Sequence, residues 1–128
     1  MECHEQQFPL NRDDSERALD VLQAIADPTR LRLVWLLRHR EMSVGRLVRT
    51  LALPQSTVSR HLSILRRAKL VRTRRKGTTV FYTLGNTHLG HIVSETLSLA
   101  EHERLALPDH GDDRVTGIPL HHEYGEDP

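Results

Sequence analysis

Apolar residues recur along this chain at two spacings, and the change from one to the other outlines the fold. From Ser15 to Ala26 (SERALDVLQAIA), Ala18, Leu19, Leu22, Ile25 and Ala26 fall at helical spacing, with Asp14 or Ser15 placed to cap the helix. Asp27-Pro28 ends it and opens a second, because proline tolerates the first helical turn. Leu31, Val34, Trp35 and Leu37 mark the inner side of that second helix, up to about Arg38. Ser43 caps a short third helix, Val44 to Leu51, with Leu47, Val48 and Leu51 inward. Ala52-Leu53-Pro54 is all that separates it from a fourth, Gln55 to Lys69, whose stripe is Val58, Leu62 and Leu65. Two short helices joined so tightly form a helix-turn-helix. The period then drops to two. LVRTRR and TVFYTL flank Lys76-Gly77-Thr78 and predict a two-stranded hairpin, which after a recognition helix is a wing. Asn86 caps a last long helix, roughly Thr87 to Leu105. Its apolar positions (Leu89, Ile92, Val93, Leu97, Leu99 and Leu105) spread over more than one face, so it needs a second surface, which a partner subunit can supply.

The expected fold is therefore mainly α with a small β-hairpin, ordered helix, helix, helix-turn-helix, wing, helix. A polar, flexible arm (1–14) precedes the domain (15–105), and a loose tail rich in His and Asp (106–128) follows it. A length of 128 residues suits one modest core. No apolar run approaches the roughly 20 residues that span a bilayer, and MECHEQQFPL lacks the basic start and apolar centre of a signal peptide. One cysteine, Cys3, cannot form an internal disulfide and suits a reducing compartment. A cytoplasmic protein with no membrane partner is expected.

Charge changes the picture more than length does. Between Ser15 and Leu84 there are 15 Lys/Arg against 4 Asp/Glu, a balance of +11, while the remaining residues carry 3 against 13, or −10. From Met42 to Ser94 there is no Asp or Glu at all. A basic body with acidic ends is the footprint of a protein that approaches a polyanion, because each neutralised phosphate releases counterions. On the fourth helix Ser56, Arg60, Ser63 and Arg67 lie opposite the core stripe, with Gln55, Thr57 and Ser59 near its N-terminal end. Gln pairs with adenine, Arg with guanine, and Ser or Thr with bases or phosphate, so Gln55, Ser56, Thr57, Ser59, Arg60 and Arg67 are candidates for reading the major groove of double-stranded DNA. His61, at the edge of the stripe, is either packing or reading and joins the candidates. Arg72, Arg74, Arg75 and Lys76 give the wing a charge run suited to phosphate or the minor groove.

The runs LQAIADPTRLRLVWLLRHREMSVGRL and LPQSTVSRHLSILRRAKLVRTRRKGTTVFYTL closely resemble the ArsR/SmtB family of winged-helix repressors, over roughly residues 19 to 105. That resemblance implies a homodimer built on the first and last helices, a cytosolic location, and operator binding released by an inducer. Many thiolate-based sensors of the family carry Cys-x-Cys on the third helix. Here that helix reads VGRLVRTL, so a site of that type is absent.

Histidine is the remaining signal. Six of nine lie beyond residue 86. His88, His91, Glu95 and His102 share one face of the last helix at i, i+3, i+7 and i+14. At 1.5 Å per residue, His88 and His102 stand about 21 Å apart, too far for one ion. Two antiparallel copies related by a two-fold near Glu95 would instead set His88 of one beside His102 of the other. The ligand pattern resembles that of the nickel- and cobalt-sensing (KmtR-type) branch, which implies His88, Glu101, His102 and His110 as ligands. With His91 these form the candidate metal set, and imidazole and carboxylate donors without thiolate suit nickel, cobalt or zinc. There are departures from the related sites. Asn86 and Leu105 replace ligand residues, and Gly111 follows His110 where a second His is usual, leaving His121-His122, or Cys3 and His4, to complete a site. Two readings follow: an apo-dimer repressor released by divalent metal, or a repressor of the same family with no metal input. An enzyme is not expected, since no HExxH or nucleophile elbow is present.

Overall fold

The computed structural model describes the backbone of residues 11–110 and the side chains of 11–106. Its elements are α1 (Arg12–Ile25), α2 (Pro28–Leu37), β1 (Met42–Ser43), α3 (Val44–Leu51), α4 (Gln55–Arg67), β2 (Val71–Lys76), β3 (Thr79–Leu84) and α5 (Thr87–His110). This is a winged helix-turn-helix with one strand beyond the expected hairpin. The described residues divide into two units, one ending at Val93 and one beginning at Ser94. No helix among them is long and apolar enough to cross a membrane.

Local chemistry sets the boundaries. The α1 helix starts before Ser15 because Asn11 caps it, its side chain accepting from the Asp14 amide at 3.1 Å. Asp13 and Asp14 then sit at the positive end of the helix dipole. Residues 12–14, assigned to the arm from sequence, are thus helical. Asp27 caps α2, accepting from the Thr29 and Arg30 amides at 2.9 and 3.0 Å, with Pro28 in the first turn. Ser43 caps α3. The tight turn after α3 puts Ala52 in the left-handed region (φ 55°). α4 stops at Arg67 in a Schellman arrangement: Lys69 is left-handed (φ 65°), its amide bonds to Arg66 O, and the Leu70 amide reaches back to Leu65 O. Arg17 adds a bond from α1 to Ala68 O at 2.7 Å.

The sheet order is β1-β3-β2, antiparallel throughout. Val71 pairs with Leu84 and Lys76 with Thr79, so the connection is the two residues Gly77-Thr78. Gly77 has φ 63°, and glycine at the first central position is what a type II′ hairpin turn requires. β1 adds only two rungs, Met42 to Tyr82 and Ser43 to Phe81.

The core lies in the unit that ends at Val93. Leu33, Val34 and Leu37 of α2, Leu47 of α3, Val58, Leu62 and Leu65 of α4, and Val93 of α5 are fully enclosed. Burial of this kind contributes about 1.5–3 kcal/mol per large aliphatic side chain. On α2 the inner residues are Leu33, Val34 and Leu37, while Leu31 and Trp35 are half-buried. Five consecutive apolar residues, 33–37, carry no period that could assign its face. The Arg38 guanidinium lies 3.2 Å from the centre of the Trp35 ring. Gly90 closes on the same arginine, since a Cβ there would stand 3.3 Å from Arg38 Cβ.

Candidate nucleic-acid interface and metal ligands

The α4 helix separates into two faces. Val58, His61, Leu62 and Leu65 are buried; Gln55, Ser56, Arg60, Ser63, Arg66 and Arg67 are exposed, and Thr57 and Ser59 are half-buried. His61 therefore leaves the set of DNA-reading candidates. It is 9% exposed, its Nδ1 is 3.0 Å from Arg30 Nη1 and 3.7 Å from an Asp27 carboxylate oxygen, so it packs on the buried side of α4. Its partners also bind elsewhere, Arg30 Nε donating to Ala24 O and Asp27 capping α2. Burial works against ionisation of Asp27. The Arg30 and Thr29 amides, with the charges of Arg30 and His61, outweigh it and hold the carboxyl below its ordinary value.

Side chains on β2 alternate between the two faces of the sheet. Val71, Thr73 and Arg75 point one way, with Val71 in the core; Arg72, Arg74 and Lys76 point the other. Arg72 donates to Gly85 O at 3.1 Å. Arg74 is committed as well, bound to Glu41 through both Nε (3.2 Å to Oε2) and Nη2, with its guanidinium 4.9 Å from the centre of the Phe81 ring. The Arg74 hydrogen bond, with the charges of Arg74 and Lys76, keeps the Glu41 carboxyl below its ordinary value. Arg75 and Lys76 are exposed and, among the described residues, form no ion pair.

Sequence reasoning passed over two exposed arginines, Arg46 and Arg49 on α3. Their i, i+3 spacing opposite Leu47 was the available signal. The first helix of a helix-turn-helix crosses the DNA backbone, where such residues meet phosphate.

Asn86 caps α5, accepting from the His88 amide at 2.6 Å. His88 and His91 are exposed near its start, in the first unit. Glu95, Glu101 and His102 are exposed in the second. None of these side chains has an ion pair or hydrogen bond among the described residues. Within one chain, no three His, Cys, Asp or Glu side chains gather among the described residues. His110 ends α5, and its side chain lies outside the described residues, as do Cys3, His4, His121 and His122.

Residues 25–74 match a family described as a helix-turn-helix domain. The chain is 43% identical over 102 residues to the HTH-type transcriptional regulator KmtR of Mycobacterium tuberculosis, covering 80% of this chain and 78% of that one. It is 36% identical over 104 residues to the HTH-type transcriptional repressor SmtB of the same species, covering 81% and 77%. Among solved structures it resembles HlyU from Vibrio cholerae N16961, with a TM-score of 0.64 and 41% identity over 67% of this chain and 94% of that one. HlyU of that species is described as a transcriptional activator. With its helix-turn-helix, wing and these relatives together, the chain belongs to the ArsR/SmtB family of winged-helix transcriptional regulators, which bind DNA and are not enzymes.

Proposed function

We propose that this chain is a cytoplasmic repressor that holds operator DNA as a metal-free homodimer and releases it when a divalent metal binds between the C-terminal helices of two copies. Nickel and cobalt are the first candidates and zinc the third. The observation that carries this reading is the set of exposed imidazoles on α5, His88, His91 and His102, none with a partner in its own chain among the described residues. Imidazole with the carboxylate of Glu101 and no thiolate suits these metals. His88 of one copy and His102 of the other would hold the ion, with His91, Glu101 and His110 completing its shell. When bound, the metal supplies a cross-link between copies. Dimerisation is supported by large apolar side chains left on the surface: Leu19 and Leu22 on α1, and Leu99 and Leu105 on α5.

On the DNA side, Gln55, Ser56, Thr57, Ser59 and Arg60 would read the major groove. Arg67, Arg46, Arg49, Arg75 and Lys76 would meet phosphate. Metal and DNA are linked, so each must weaken the other by the same factor.

A second reading, regulation without metal, draws support from the comparable identity to HlyU. One titration separates the two. Protein stripped with chelator is bound to a duplex enriched from a random-sequence pool, and nickel, cobalt and zinc are added in turn. Release by one of them at stoichiometric metal supports the first reading. Undiminished binding with all three supports the second.

A further inference from the structure

We propose that Arg74 is a positioning residue and not a DNA ligand: gripped by Glu41 and seated on Phe81, it fixes the root of the wing and so sets where Arg75 and Lys76 stand. The inference rests on the DNA-binding reading of the wing and is independent of any metal.

The register makes the case. Phe81 on the central strand pairs with Ser43 on one side and Arg74 on the other. This is the last rung at which the sheet has three strands. Beyond it only two rungs remain, Arg75 with Val80 and Lys76 with Thr79, closed by the Gly77-Thr78 turn. A two-stranded ribbon alone is soft, so the geometry of its tip depends on what holds its base. To reach Glu41, which immediately precedes β1, the Arg74 side chain must cross the central strand, and the Phe81 ring lies beneath it there. A forked guanidinium–carboxylate contact fixes direction as well as distance. The clamp thus joins the outer strand to the start of the edge strand, over the one between them.

Charge gives the proposal its sharpest consequence. Glu41 is the last acid before a stretch of 53 residues that has none. If it were merely tolerated, neutralising it would strengthen binding to a polyanion. As half of a brace, it should weaken binding when neutralised.

Operator affinity is measured against salt for wild type, Glu41→Gln, Arg74→Lys, Arg74→Gln and Arg75→Ala, on the duplex enriched by wild type. Glu41→Gln should bind about three- to fivefold more weakly despite losing a negative charge. Arg74→Lys should fall as far, because lysine keeps the charge and loses the fork. Both Arg74 variants should keep the wild-type salt slope, whereas Arg75→Ala should lower it by about one unit. Tighter binding by Glu41→Gln would overturn the brace. So would wild-type affinity in Arg74→Lys together with a reduced slope in Arg74→Gln. A second measurement needs no DNA: the Arg74 Nε–H proton should exchange slowly with water in free wild type and quickly in Glu41→Gln. Should no duplex be enriched at all, the DNA-binding reading falls, and this exchange still decides the brace. Equal exchange in the two proteins would refute it.

Discussion

At the scale of single residues, the Asp27, Arg30 and His61 cluster shows how one helix serves two masters. His61 stands between Arg60, on the outer face, and Leu62, in the core, and only the fold decides which neighbour it joins. The sequence could not, because Asp27 and Arg30 are its partners from more than 30 positions away. His61→Ala should cost about 2 kcal/mol of stability by leaving Arg30 short of a covered partner, read as a lower urea midpoint. Arg60→Ala should leave that midpoint unchanged and cost about 1–3 kcal/mol in operator binding with relaxed specificity. Asp27 adds a pH dependence with a definite sign. Its folded pKa lies below the ordinary 3.8, so its contribution is present above that value and is lost as pH falls through the folded pKa. Urea denaturation from about pH 6 down to about pH 2 should show wild type losing stability in the acid range more steeply than Asp27→Asn.

At the scale of elements, legibility followed length and period. Helices α1 to α4 and the hairpin were visible in spacing, capping residues and one turn glycine. β1 was not, since two residues cannot display an alternation. The first turn of α1 was missed for a related reason: Arg12, Asp13 and Asp14 are polar, and the capping Asn11 announces them without any apolar repeat. Arg74 was read as one more basic residue on a strand, because its partner Glu41 lies 33 positions earlier and meets it only through the three-stranded sheet. The hairpin also gives an element-level test. Gly77→Ala places a side chain at φ 63°, where no steric clash with neighbours arises but the backbone itself is strained. It should cost about 1 kcal/mol in thermal or urea stability.

At the scale of the whole molecule, the proposed metal ligands stand out in the sequence as a row of histidines, yet their grouping does not, because the proposed site needs two copies and no three such side chains gather within one chain among the described residues. Mixing tests that directly. His88→Ala and His102→Ala should each lose tight metal binding while keeping apo dimerisation and operator affinity. In a heterodimer of the two, one site recovers both histidines and the other loses both, so half the wild-type metal stoichiometry should return by equilibrium dialysis. No recovery with heterodimers demonstrably present would sink the shared site. The protein also brings its own instrument to such experiments. Trp35 is the sole tryptophan of the chain, Arg38 lies on its ring, and Gly90, flanked two residues away by His88 on one side and directly by His91 on the other, closes on that arginine. Indole emission is therefore a label-free optical gauge of how the start of α5 meets α2. Gly90→Ala, by pressing on Arg38, should shift that emission in the apo protein, and an ion that engages His88 or His91 should shift it in wild type, with the colour change and the release of DNA saturating at the same added metal.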